Sequence, residues 1–307
     1  MILQNLLNTM VEILILMVIG FLAARFGLID KDTNRRLTAF TLVIPQSGMI
    51  LSGVINAELS LSAGQVLALV GTGFVMYAAL FLLGLLAPAV CAAAPKDRGV
   101  YRFMTMFGNC GFMGFPIIAA VFGSEYVFYA ALANTAFNVL AYSLGISLVC
   151  GGGAKSEIRW RNFINAPIIA TLVSLLIMAL RIQFPAAVCQ CVTAVGDSTV
   201  PLSMIIIGAS LYGQKFREIL FSWRVYVFAA IKLLAAPVLV WAVLRLFVRE
   251  AVTLGICTVL AAMPSAAIST MFAIRYGKDE TLASRNVVFT TVLSLATVPL
   301  IYRLLLL

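Results

Sequence analysis

Ten stretches of about twenty apolar residues constrain this chain more than any other feature. A helix of about 20 residues crosses a hydrocarbon core of about 30 Å. Of the 307 residues, 63% are hydrophobic and 11% are charged, whereas soluble domains carry about 25% charged residues. We predict an all-α integral membrane protein with ten transmembrane helices. They lie at about residues 5–25, 33–54, 62–90, 99–122, 126–150, 162–182, 188–212, 224–245, 251–275 and 282–304.

The basic residues indicate the orientation of these helices. Sixteen of the 21 lysines and arginines fall in loops after odd-numbered stretches, four fall on the opposite side, and Lys232 lies inside a stretch. Because cytoplasmic loops are enriched in Lys and Arg, both termini should lie outside the cytoplasm. The net charge of +9 is clustered between apolar stretches, so it indicates a lipid bilayer and no nucleic acid. The first basic residue, Arg25, follows the first stretch, so we expect no cleaved signal peptide.

Each half of the chain holds five stretches, so the two halves should be inverted relative to one another. We predict repeats at 1–150 and 161–307 around a cytoplasmic loop at 151–160. Motifs recur in the same order in the two halves, as inverted repeats of transporters predict. The pairs are Pro45-x-Ser47 and Pro201-x-Ser203, Gly53 and Gly208, and Asn134-x-x-Phe137 and Asn286-x-x-Phe289.

The fourth and ninth stretches are both interrupted by helix-breaking residues. The first contains Gly108, Gly111, Gly114 and Pro116, and the second contains Pro264. An unpaired backbone group in hydrocarbon costs several kcal/mol, so such breaks persist only beside protein or a water-filled cavity. Interruptions in corresponding positions of two halves indicate the binding site of a secondary transporter.

The first interruption offers several candidate substrate ligands. Asn109 carries an amide with two donors and one acceptor. Pro116 is expected to start a half-helix whose N-terminal N–H groups suit an anion. Gly111 allows close approach of backbone, while Gly108 and Gly114 shape the break. The alternative for these glycines is simple packing between helices.

The second interruption offers Pro264, with Ser265, Ser269 and Thr270 after it. These hydroxyls either contact a ligand or satisfy carbonyls that the proline frees. Pro45 and Pro201 are assigned, with Gly108 and Gly114, to the structural crossover.

Lys232 is the one basic residue near the centre of a stretch. A charge there costs at least about 2.5–3.5 kcal/mol, so it should face a cavity or a partner. It either attracts an anionic substrate, pairs with Asp197, or extends toward the membrane surface.

Catalytic and metal-binding patterns are absent from the sequence. There is no histidine, and none of the six cysteines forms a CxxC pair. No nucleophile motif, phosphate-binding loop or paired carboxylate occurs. We therefore predict a non-enzyme without a cofactor, with H⁺ or Na⁺ coupling left open.

Together these motifs resemble the auxin efflux carrier family, bacterial members above all. The resemblance covers nearly the whole chain and is carried by four segments. They are Asn109 to Pro116, the Pro45 stretch, Gly196 to Leu211, and Met263-Pro264 with Arg275 to Asp279.

The resemblance implies ten helices in two inverted five-helix repeats, with broken helices 4 and 9 crossing at the midplane. It also implies scaffold and transport domains, a homodimer in the bacterial inner membrane, and alternating-access transport of small organic anions. On this basis Asn109 contacts the substrate carboxylate, Ile44 lines the pocket, and Pro116 and Pro264 mark the crossing. Cys110 and Gly111 depart from the family's pattern, which argues against auxin as the substrate. The alternatives are a sodium-coupled symporter of the bile-acid type, a ligand-sensing receptor and a channel.

Overall fold

The computed structural model describes residues 2–56, 61–150, 165–213 and 222–306 of the chain. Within these ranges the regular structure is helical, apart from one isolated antiparallel bridge between Gly108 and Ser265. The predicted central loop at 151–160 lies outside the described residues.

The described helices are numbered here in chain order. The first nine are α1 (Ile2–Arg25), α2 (Lys31–Val43), α3 (Pro45–Ile55), α4 (Ala63–Val90), α5 (Arg98–Met106), α6 (Phe115–Phe122), α7 (Tyr126–Ala133), α8 (Thr135–Leu140) and α9 (Ile146–Cys150). The others are α10 (Ala166–Leu180), α11 (Ala186–Asp197), α12 (Thr199–Leu211), α13 (Trp223–Ala230), α14 (Ala236–Leu244), α15 (Ala251–Ala262), α16 (Ile268–Arg275) and α17 (Glu280–Leu305). Three π-helical turns join neighbours: π1 (Cys110–Gly114), π2 (Ala141–Gly145) and π3 (Ile231–Ala235).

Seven helical segments of the described chain are long and apolar enough to cross a membrane. Three shorter apolar helices cover Cys110–Phe122, Ala166–Leu180 and Ala251–Ala262. Each of these ten segments overlaps one of the ten predicted stretches. Their arrangement as two inverted repeats stays a prediction. The seven long segments are Asn8–Arg25, Lys31–Ile55, Ala63–Val90, Tyr126–Cys150, Ala186–Leu211, Trp223–Leu244 and Glu280–Leu305.

The helices form two compact units that each draw on both halves of the sequence. Unit 1 contains Met1–Ala68, Gly111–Leu132 and Ile164–Gln214. Unit 2 contains Leu69–Cys110, Ala133–Phe163 and Lys215–Leu307. These units are defined by packing, whereas the predicted repeats are defined by position in the sequence. The division into repeats stays a prediction.

Unit 1 depends on close approach of two helices, α1 and α12. A Cβ atom added at Gly20 of α1 would overlap the carbonyl oxygen of Ile205. A Cβ atom at Gly208 of α12 would overlap the carbonyl oxygen of Met17. Small residues let helix backbones approach closely, and here each helix supplies one to the other.

Prolines interrupt or widen several helices. Helix α2 ends at Val43, and Pro45 begins α3, a position where the missing N–H costs nothing. Pro201 is the third residue of α12, just after α11 ends at Asp197. Both prolines therefore lie near a change of helix, although Pro201 lies inside the new helix rather than at its start.

Two π turns each end two residues before a proline. Turn π1 precedes Pro116, and turn π3 precedes Pro237. A proline cannot donate to the carbonyl four residues earlier, and its ring crowds that carbonyl. A wider π turn accommodates both effects. Pro116 is the second residue of α6, and π1 extends the helical backbone before it back to Cys110. Its expected role at the start of a substrate-binding half-helix stays a prediction.

An aromatic cluster in unit 2 fixes the chain where α5 ends. The ring of Phe107 lies 4.6 Å from Phe103, 5.7 Å from Tyr77 and 5.3 Å from Phe137, measured between ring centroids. Phe107 is fully buried. The aromatic contacts hold this residue in place immediately before the candidate site.

Candidate functional site

Two interruptions of the helices lie in unit 2, and they hydrogen-bond to each other. The first, Phe107–Asn109, follows α5, and the second, Met263–Ala267, separates α15 from α16. We call these two segments the paired interruptions. The backbone N–H of Asn109 donates to the carbonyl of Pro264 at 2.7 Å, and Ala266 N–H donates to the carbonyl of Phe107 at 3.0 Å. These bonds satisfy backbone groups that the breaks would otherwise leave unpaired.

Gly108 stands at the centre of this pairing. Its ideal Cβ position lies 3.2 Å from the Cβ of Met263 and 3.3 Å from the Met263 carbonyl oxygen. Both distances are tighter than ordinary van der Waals contact. The absence of a side chain therefore lets the two segments approach.

Asn109 keeps its side chain free for another partner. Its backbone N–H is used by Pro264, but no residue that the structure describes hydrogen-bonds its carboxamide. The residue is 8% exposed. A nearly buried amide without an internal partner has two N–H donors available for an acceptor such as a carboxylate.

Ser265 has an internal role that the sequence did not reveal. Its hydroxyl donates to the carbonyl of Met104 at 3.2 Å, and its backbone N–H donates to Oγ1 of Thr290 at 3.2 Å. Ser265 is fully buried. The hydroxyl therefore satisfies a carbonyl at the end of α5 rather than one that Pro264 frees.

Ser269 differs from Ser265, because its hydroxyl is buried and has no hydrogen-bond partner in the part of the chain that the structure describes. It lies in the first turn of α16, where backbone N–H groups and the positive end of the helix dipole are directed toward the preceding loop. Thr270 is the next residue and is half-buried. Ser269 is thus the better ligand candidate of the second interruption.

Lys232 is fully buried in π3. Its ammonium nitrogen Nζ lies 3.1 Å from the carbonyl oxygen of Thr105, to which it donates. Thr105 is the penultimate residue of α5. Asp197 belongs to unit 1, so the alternative of a Lys232–Asp197 pair stays a prediction.

The other predicted site residues belong to unit 1. Ile44 is 48% exposed in the turn between α2 and α3. Gly111 lies against Gln46, whose Nε2 atom is 2.6 Å from the ideal Cβ position of that glycine. Gly114 ends π1, and Pro116 is buried in α6. Their roles in substrate binding, like those of Pro45 and Pro201, stay predictions.

Two residues beside the paired interruptions were missed by the sequence reasoning. The hydroxyl of Tyr77 donates to Oδ1 of Asn134 at 3.2 Å and lies 3.9 Å from Sγ of Cys110. Thr290 accepts from Ser265, as described above. Thr290 lies one helical turn after Asn286, so the recurring Asn-x-x-Phe motif pointed to the correct turn of α17 but not to this residue.

Metal ligands do not gather at this site. Among the described residues, no group of three or more Cys, Asp or Glu side chains could hold a metal ion. The polar atoms at the paired interruptions are amides, hydroxyls and carbonyls, with the ammonium of Lys232 behind them. The amides and hydroxyls of this set can donate hydrogen bonds to an organic anion.

The chain is similar in sequence to known membrane transport proteins. The family model described as "Membrane transport protein" matches residues 5–160 and again 156–302. The chain belongs to this family of membrane transport proteins. It is the auxin efflux carrier family to which the sequence motifs pointed. With its apolar helices, this family member is a multi-pass membrane protein.

Relatives of this family member are also transporters. An uncharacterised transporter of Methanothermobacter thermautotrophicus is 24% identical over 302 residues, covering 95% of this chain and 96% of the relative. An uncharacterised transporter of Methanocaldococcus jannaschii is 20% identical over 303 residues, covering 96% and 97%. A protein of Rhizobium meliloti named "putative malonate transporter" is 23% identical over 294 residues, covering 92% and 90%. These names indicate a transporter rather than an enzyme.

Proposed function

We propose that this protein is a secondary carrier of small organic anions, such as mono- or dicarboxylates, that works by alternating access. The anion would bind at the paired interruptions of unit 2. The observation that carries this proposal is the Asn109 carboxamide, which is nearly buried, fixed through its own backbone bond to Pro264, and without a partner in the described chain.

The chemistry around Asn109 favours an anion. The carboxamide can donate two hydrogen bonds to a carboxylate. The Ser269 hydroxyl, which has no partner among the described residues, can donate another. The first turn of α16 adds the positive end of a helix dipole. No buried carboxylate occurs among the described residues of the paired interruptions. A negatively charged ligand would therefore not be repelled by a negative side chain of these residues.

The substrate class rests on one relative as well as on this chemistry. Malonate appears in the name of the Rhizobium meliloti protein, and it is a short dicarboxylate. We propose short dicarboxylates as the first compounds to test, with monocarboxylates beside them.

Uptake by purified protein in liposomes tests the function. We expect saturable uptake of at least one labelled acid from a panel of mono- and dicarboxylates. Asn109→Ala should weaken binding by about 1–3 kcal/mol, or about 5- to 150-fold, the range for a lost hydrogen bond to a charged group. The Asn109→Ala protein should still fold, because removal of the carboxamide leaves few polar groups without a hydrogen-bond partner.

A matched control removes another carboxamide. Asn56→Ala deletes an exposed amide that donates to Oγ1 of Thr193 in unit 1, so uptake should stay close to wild type. Equal kinetics in wild type and a well-folded Asn109→Ala protein would refute the binding role of Asn109. A steady electrical current without saturation would indicate a channel instead.

The membrane arrangement is a further part of the proposal. We propose ten spans in two inverted repeats, both termini outside the cytoplasm of a bacterial inner membrane, and a homodimer. We also propose that unit 2 is the moving transport domain and that unit 1 is the scaffold. In a background free of native cysteines, an impermeant maleimide applied to intact cells should label Glu125→Cys and spare Arg98→Cys. Labelling of Arg98→Cys alone would invert the proposed orientation.

A further inference from the structure

The carbonyl end of α5 is satisfied by donors from outside the helix. The last four carbonyls of any helix lack partners within it. In α5 the carbonyl of Phe103 accepts from the backbone N–H of Phe107 at 2.9 Å. The next carbonyl, that of Met104, accepts from the hydroxyl of Ser265. These two caps are electrically neutral.

The third cap is a cation. The carbonyl of Thr105 accepts from Nζ of Lys232, which reaches it from a different helix. The C-terminal end of a helix carries a partial negative charge of about half an electron, so a cation there is stabilised. The Lys232 ammonium therefore lies at the most negative end of α5, directly before the segment that holds Asn109.

Lys232 reaches this position from a specialised backbone. Turn π3 places one extra residue in the helix just before Pro237, and such turns re-aim side chains, often at functional sites. Lys232 is 0% exposed. The buried ammonium already donates to the Thr105 carbonyl, so Lys232 acts through α5 rather than by touching the substrate.

The equivalent end of α15 has a different cap. The carbonyl of Leu260 accepts from the thiol of Cys110 at 3.7 Å and from the backbone N–H of Met263 at 3.3 Å. Both donors are neutral. Of the two helix ends that lead into the paired interruptions, the one before Asn109 receives the positive charge.

Carbonyl ends of interrupted helices are where transporters commonly coordinate a coupling cation such as Na⁺. We propose that the Lys232 ammonium takes that place from within the chain. It caps α5, holds the Asn109 segment in its paired conformation, and makes a bound metal cation unnecessary at this helix end. Lys232 is then a positioning residue, and the inference rests on the proposed carrier function of the paired interruptions.

Chemical rescue tests this inference. Lys232→Ala removes three carbons and the ammonium group, which together correspond to propylammonium. With choline as the only cation, we expect Lys232→Ala to bind malonate, or whichever acid wild type takes up, at least about tenfold more weakly than wild type. Propylammonium, and to a smaller degree Na⁺, should restore most of that loss. Wild-type binding should be the same in Na⁺ and in choline.

Leu233→Ala is the matched control. Leu233 is the next residue of π3 and is equally buried, so its truncation leaves a cavity without removing a charge. Propylammonium should not improve this variant. If propylammonium rescued both variants equally, the rescue would be explained by filling of the cavity rather than by replacement of the charge. That result would overturn the inference. Unchanged binding by folded Lys232→Ala in choline, or Na⁺-dependent binding by wild type, would also overturn it.

A measurement without substrate separates this inference from the proposed function. The melting temperature of Lys232→Ala should rise toward that of wild type with propylammonium but not with choline. If wild type takes up none of the acids, the proposed function fails, and this melting experiment still decides the role of Lys232. If Lys232→Ala folds only with propylammonium, the inference is supported. If it folds with neither cation, the comparison of wild-type binding in Na⁺ and in choline decides. Binding that depends on Na⁺ would then overturn the inference.

Discussion

Gly73 of α4 provides a quantitative test of helix packing in unit 2. A Cβ atom there would overlap the carbonyl oxygen of Ala133 and lie 2.8 Å from its carbonyl carbon. Because these are backbone atoms, the two helices must separate, and overpacking of this kind costs about 1–3 kcal/mol. Replacing glycine by alanine inside a helix returns about 0.5–1 kcal/mol. With the middle of each range, about 2 and about 0.75 kcal/mol, Gly73→Ala should lose about 1.3 kcal/mol, which corresponds to a fall in melting temperature of roughly 3–5 °C.

Gly71→Ala is the control on the same helix. Its ideal Cβ position has no other atom within 4 Å, so only the gain in helix propensity remains and the variant should be as stable as wild type or slightly more stable. Thermal unfolding of both proteins in one detergent, followed by tryptophan fluorescence, provides the comparison. If Gly73→Ala melts at the temperature of Gly71→Ala, the close contact between α4 and α7 is not required for stability.

Two further predictions concern hydrogen bonds to backbone N–H groups. Thr290→Val strands the buried N–H of Ser265 and should destabilise the protein by about 1–3 kcal/mol. The control Thr291→Val loses only a hydrogen bond to its own helix and should cost less. Equal melting temperatures of the two variants would contradict the bond from Ser265 to Thr290. Outside the spans, the backbone N–H of Thr33 donates to the Asp30 carboxylate and lowers the pKa of Asp30 below 3.8. This cap therefore stabilises the start of α2 above pH 3.8 and is lost as the pH falls through the lowered pKa. Amide hydrogen exchange in the first turn of α2 should accelerate only in that acidic range. Asp30→Ala should remove this dependence on pH.

Much of the helical pattern was predictable from hydropathy, because a helix that crosses a bilayer needs about twenty apolar residues whatever its neighbours are. The position of the first interruption was less predictable. It lies at Phe107–Asn109, at the start of the glycine-rich segment, and Pro116 does not break the helix. Proline shows where a regular helix is costly, but the chain can respond with a π turn instead of a break, and that choice depends on tertiary packing.

The site was predictable only where side-chain chemistry was visible in the sequence. Asn109 and Pro264 were identified because a polar residue and a proline in an apolar stretch are unusual. The partners of Ser265 and Lys232 could not be predicted, because both donate to backbone carbonyls, and every residue has one. The two compact units were equally hidden, since each combines segments from both halves of the sequence.

The hydrogen bonds between the interruptions restrict how unit 2 can change shape. Separating α5 from α15 would strand the N–H groups of Asn109 and Ala266 together with the two carbonyls that accept from them. Each stranded buried group costs about 1–3 kcal/mol, and a motion that also separated α5 from π3 would strand the charged group of the Lys232–Thr105 cap. A motion that keeps all three bonds avoids this penalty. The proposed transport cycle should therefore carry the paired interruptions as one body, with Asn109 in the same local conformation on both sides of the membrane.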